Sequence, residues 1–123
     1  MEERNIIKWS EYSEYTELTI PSGEIWMSES ELVDLFGVFI PKLRNAIKAI
    51  YKEELVKPYE VERTIKERDN LYVTAYNMEV VMLLAFRLNS YLARAVRREL
   101  VERISRDQKP FEVILTTING TTS

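Results

Sequence analysis

The chain has 123 residues, 46% apolar and 30% charged, with a net charge of −3, which suits one soluble domain with a real core. It has no His and no Cys, so disulfides, an ordinary zinc site and an imidazole-assisted nucleophile are excluded. Gly23, Gly37 and Gly120 are too dispersed for a phosphate-cradling loop, and no apolar run approaches the roughly 20 residues that span a bilayer.

Residues 1–13 are acidic and without a clear period. They lack the apolar core of a secretory signal and are expected to form a loosely held arm. In YTELTIPSGEIWMS, Thr16, Leu18 and Ile20 alternate with neighbouring residues, Pro-Ser-Gly turns, and Ile25-Trp26-Met27 resumes an extended pattern, which predicts a β-hairpin.

Ser28 has Glu31 three residues later, the spacing of a capping box. Leu32, Leu35 and Phe36, widened by Val33, give a helical face, Gly37 suits its stop, and Val38 follows as a buried turn residue. Pro41 fits the first turn of a second helix, with Leu43, Ala46, Ile47 and Ile50 at helical spacing and Tyr51 beside them. The opposite face carries Lys42, Arg44, Asn45, Lys48 and Lys52, and residues 41–52 hold four basic and no acidic residues. Phe39 and Ile40 cannot both bury in one tight turn. Ile40 is the better placed to plug the core as a hydrophobic staple, and the alternative is an exposed apolar pair that meets a partner chain.

Val56, Tyr59, Val61 and Ile65, a polar turn at residues 67–70 and the β-rich stretch Leu71 to Tyr76 predict a second hairpin, with Lys66 and Arg68 at its tip. Asn77 is placed to cap a helix in which Val80 to Phe86 and Leu88 are too apolar for one exposed face and should form the centre of the core. Asn89-Ser90 predicts a break, then a helix from Tyr91 to about Ile104 with Leu92, Val96, Leu100 and Ile104 as its stripe. Its arginines are expected to find local partners and water. The tyrosines and both tryptophans are expected mostly in packing, with Tyr72 and Tyr91 as surface contacts. Pro110 closes the helix, residues 111–115 read as a strand, and the last residues as a frayed end.

The fold class expected is α+β: a winged helix-turn-helix-like core with flanking β-hairpins and a C-terminal helical unit. The divisions within a single domain are 1–13 (arm), 14–76 (hairpin plus winged helix-turn-helix), 77–110 (helical unit) and 111–123 (terminal strand and tail). Charge is polarised along it: residues 1–27 hold six acidic and two basic residues, whereas residues 77–110 hold seven basic and four acidic.

Three stretches resemble the N-terminal region of the virulence-associated RhuM family, bacterial proteins often linked to mobile elements. Trp26-Met27-Ser28 through Asp34-Leu35-Phe36-Gly37-Val38 is similar to that family's opening helix. Ile47-Lys48-Ala49-Ile50-Tyr51 is similar to the end of its second helix. Tyr76-Asn77-Met78-Glu79 and Arg87-Leu88-Asn89-Ser90 are similar to its central helix and break. The likeness spans roughly residues 24–104 and implies a DNA-binding domain. The chain departs from the family where Phe39, Ile40, Pro41 and Lys42 replace a polar Ser, Arg, Ser, Thr run, and again after Asn89-Ser90, where Tyr91-Leu92-Ala93-Arg94 stands.

The function expected is non-catalytic binding of duplex DNA, regulatory in kind and mainly through phosphates, by Lys42, Arg44, Asn45, Lys48, Lys52, Lys66 and Arg68. The alternative is a protein-interaction adaptor or dimerisation module that kept the fold and lost base readout, with Phe39 and Ile40 as its contacts. A homodimer and a cytoplasmic location are expected. No enzyme activity, catalytic residue, metal, cofactor, small-molecule substrate or membrane contact is expected.

Overall fold

The computed structural model describes residues 4–12 and 14–106. It is a mixed α+β structure of five helices and two small antiparallel sheets among the described residues. The expected strand at 111–115 and the closing Pro110 lie outside those residues.

The N-terminal segment is built into the fold. Strand β1 (Lys8–Glu11) pairs with β2 (Thr16–Thr19), Trp9 opposite Leu18. Ile7 is fully buried, and the Trp9 indole donates to the Leu35 carbonyl at 3.0 Å. Arg4 donates both terminal nitrogens to the Glu31 carboxylate at 2.8 Å and one also to the Trp26 carbonyl. The expectation of a loose arm is therefore corrected for residues 4–12. Its anchors are single apolar side chains and long-range polar contacts, which leave no period in a sequence.

The hairpin expected over residues 16–27 is corrected too. Pro21, Ser22 and Gly23 do turn the chain, with Gly23 at φ 95°, but the strands on either side enter different sheets. Strand β3 (Trp26–Ser28) pairs with β5 (Leu71–Asn77), which also pairs with β4 (Glu62–Arg68), so the sheet order is β3-β5-β4. Met27 sits opposite Tyr76, and Ile65 opposite Val73. The β4–β5 hairpin is as the sequence predicts, turning at Asp69-Asn70 with Asn70 at φ 56°, a conformation Asn tolerates better than most residues. Tyr59 and Val61 fall in a short helix α3 (Pro58–Val61) rather than in an extended stretch.

Between β3 and β4 lie α1 (Glu29–Phe36) and α2 (Ile40–Lys52). The Ser28 capping box forms as predicted: its hydroxyl accepts from the Glu31 amide, and the Glu31 carboxylate accepts from the Ser28 amide. Gly37 ends α1 at φ 60°. A Cβ there would stand 2.9 Å from Leu92 Cδ1, so backbone and packing both select glycine. The core gathers Leu32, Leu35 and Phe36 of α1, Leu43, Ile47 and Ile50 of α2, and the inner faces of α4 (Met78–Arg87) and α5 (Tyr91–Arg106). Asn77 caps α4 by accepting from the Val80 amide.

Within the apolar run 80–88, Val80, Val81, Leu84, Ala85 and Leu88 are buried, but Phe86 is exposed, with the Arg97 guanidinium over its ring. The break before α5 falls where expected, because Ser90 accepts from the Ala93 amide and donates to the Phe36 carbonyl. No helix among the described residues is long and apolar enough to cross a membrane.

Residues 4–12 are therefore expected to contribute to stability. Ile7→Ala should lower the unfolding free energy by roughly 2–5 kcal/mol, the range for truncating a fully buried aliphatic side chain. Urea denaturation followed by circular dichroism measures it. A change within about 0.5 kcal/mol, as for an ordinary surface position, would mean that the segment is not anchored.

Candidate nucleic-acid interface

Helix α2 is amphipathic by spacing. Leu43, Ala46, Ile47 and Ile50 face the core, and the residues between them are turned to solvent. Lys42, Asn45, Lys48 and Lys52 are all exposed, and no carboxylate of the described residues pairs with the three lysines. Four of the seven expected DNA-contacting residues thus stand together on one helix face.

Arg44 is placed differently. Its Nε and Nη2 donate to the two Glu29 carboxylate oxygens at 2.8 and 2.9 Å. That bidentate geometry is the one an arginine uses on a phosphate, and here a side chain from the first turn of α1 occupies it. The paired guanidinium, first by its hydrogen bonds and then by its charge, outweighs burial and holds the Glu29 carboxyl below its usual range.

Lys66 and Arg68 are exposed on β4, and Lys66 stands opposite the exposed Tyr72. A cavity of about 340 Å³ opens between the start of α2 and the β4–β5 hairpin, lined among others by Glu29, Ile40, Glu67, Thr74 and Tyr76. Two carboxylates, Glu29 and Glu67, thus line the space between the start of α2 and the hairpin that carries Lys66 and Arg68.

The Tyr51 hydroxyl donates to the Glu62 carboxylate. Burial and that carboxylate push the Tyr51 phenol far above its ordinary range. Tyr76 is pushed up to about 12, by burial first and then by the charges of Glu62 and Glu29.

The turn residues also differ in part from expectation. Phe39 is 86% exposed and Ile40 41%, so Ile40 does not plug the core. Helix α2 begins at Ile40, one residue earlier than Pro41 implies, with Phe39 as its N-cap. The staple positions flanking that cap are therefore Val38 and Leu43, and both are buried. Tyr12, Tyr15 and Tyr59 are exposed along with Tyr72 and Tyr91, so packing claims fewer tyrosines than expected.

Sequence reasoning missed Glu29. An acid in a first helical turn already has a local explanation in the helix dipole, and nothing in the sequence pairs it with an arginine 15 positions away. No known protein family, curated protein or solved structure matches the chain.

The two shielded phenols set an alkaline limit. Ordinary tyrosines ionise near 10, and Tyr51 and Tyr76 do so higher in the folded chain. Raised folded values mean that both contributions to stability are complete below about pH 10; that of Tyr76 is lost as pH rises through about 12, and that of Tyr51 only at higher pH. Unfolding the protein at pH 11 should raise its tyrosinate absorbance by roughly two residues' worth. Full ionisation at pH 11 without unfolding would contradict it.

Proposed function

We propose that this chain is a non-catalytic, regulatory module that binds duplex DNA through phosphate contacts made by the outward face of α2. The observation that carries this reading is the exposed set Lys42, Asn45, Lys48 and Lys52, three cations and an amide on one helix face with no carboxylate partner among the described residues. Cations so placed are complementary to a phosphate backbone and release its counterions on binding. The order β3-α1-α2-α3-β4-β5, with β3 and β4 on either side of β5, supports reading the region as a winged helix-turn-helix with a one-turn helix before its hairpin. In that arrangement α2 enters the major groove and the β4–β5 hairpin, with Lys66 and Arg68, lies along the backbone. The resemblance to the RhuM family points the same way. Arg44 contributes only when it leaves Glu29. A homodimer would pair two such modules on two half-sites, and a cytoplasmic location completes the reading.

A second reading, a protein-interaction adaptor, is favoured by one observation, the 86% exposure of Phe39.

Fluorescence anisotropy with a random duplex at several salt concentrations separates the two readings. With three lysines on phosphates, log K should fall with log salt at a slope of about −3. The double variant Lys42→Glu, Lys48→Glu alters only exposed side chains and should abolish binding at low salt. Unchanged binding by the folded double variant, or binding indifferent to salt, would favour the adaptor. Glu29→Gln should steepen the slope by about one unit by freeing Arg44 for a further phosphate. An unaltered slope would keep Arg44 out of the interface.

A further inference from the structure

The N-terminal end of α2 is short of polar readers. Phe39 caps it and makes no side-chain hydrogen bond to the first turn, and Pro41 has no amide hydrogen. What this end offers is a phenyl ring, 86% exposed and followed by the half-covered Ile40. The ring takes no part in the buried core. Directly after it come Lys42, Asn45 and Lys48, exposed and free of carboxylate partners among the described residues.

An apolar ring at the start of a cationic helix face is complementary to one feature of duplex DNA. Along the major groove the base edges present hydrogen-bond donors and acceptors, and the thymine C5-methyl is the apolar group among them. N-terminal residues of a groove-bound helix are the ones that reach base edges. Asn45 lies six residues further on, about 9 Å along the helix axis. A carboxamide there can pair with adenine N6 and N7. The ring and the amide therefore both favour A·T pairs, at different positions along the groove.

We infer that Phe39 is a specificity-determining residue that packs on thymine methyl groups, so that the chain prefers A·T-rich duplex in the major groove. This inference rests on the proposed DNA binding and adds to it a base preference and the residue that sets it.

The test uses the full chain and duplexes of equal length: alternating dA·dT, the same sequence with dU for dT, and alternating dG·dC. The dU duplex lacks only the C5-methyl groups. Fluorescence anisotropy at one low salt concentration should show tighter binding to dT than to dU, roughly fourfold for each methyl contacted. The dG·dC duplex should bind more weakly than dA·dT. Phe39→Ala removes a side chain exposed to solvent, and circular dichroism checks that the variant is folded. It should bring the dT to dU ratio to one while leaving the salt slope unchanged. Equal affinity of the wild-type chain for dT and dU, or a ratio that survives Phe39→Ala, overturns the inference and leaves phosphate binding standing. Absence of salt-dependent binding to every duplex overturns both.

Discussion

The fold is organised around the short helix α1, which side chains from remote parts of the chain hold at both ends. At its N-terminus the Glu31 carboxylate accepts from the Ser28 amide and from the Arg4 guanidinium together. Burial disfavours that charge most strongly, yet the hydrogen bonds from Arg4 and Ser28 outweigh it and keep the carboxyl below its usual range. At the C-terminus the Leu35 and Phe36 carbonyls, which no helical amide can reach, accept from Trp9 and Ser90. One eight-residue helix thus fixes the N-terminal strand, β3 and the start of α5.

From that frame the position of α2 follows. Gly37 in its left-handed conformation reverses the chain, and Val38 enters the core as the following residue. The helix that results has its apolar stripe against α4 and α1 and its lysines outward. The same geometry brings Glu29, at the start of α1, within reach of Arg44, one turn into α2. It also places Glu29 and Glu67 on the lining of the cavity between the start of α2 and the β4–β5 hairpin. The electrostatics there are set by which carboxylates the fold brings beside which cations.

Local signals were legible wherever a few neighbouring residues suffice. The Ser28–Glu31 box, the Gly37 stop, the Asn77 cap and the stripe Leu43-Ala46-Ile47-Ile50 are all visible in the sequence and stand as predicted. The Asp69-Asn70 turn of the β4–β5 hairpin is equally local. The errors share one cause. Pro21-Ser22-Gly23 does turn the chain, but a turn does not say which strands pair across it, and β2 and β3 find partners in separate sheets. Trp9 and Arg4 hydrogen-bond to residues more than 20 positions away. Phe86 sits in an apolar run and still faces solvent, because the run is longer than the inner face of α4.

The four longer helices, the caps of α1 and α4, the second hairpin and the lysine-bearing face of α2 were legible in the sequence alone, since each depends on spacing within one or two turns of the backbone. Tertiary structure alone decided that the N-terminal segment is part of the core and that Arg44 is held by Glu29. It decided too that Glu29 and Glu67 line one cavity and that Phe39 stands exposed at the head of α2. Those outcomes depend on distances between residues far apart in the chain. Such distances exist only after α1 has been pinned and the remaining elements have packed around it.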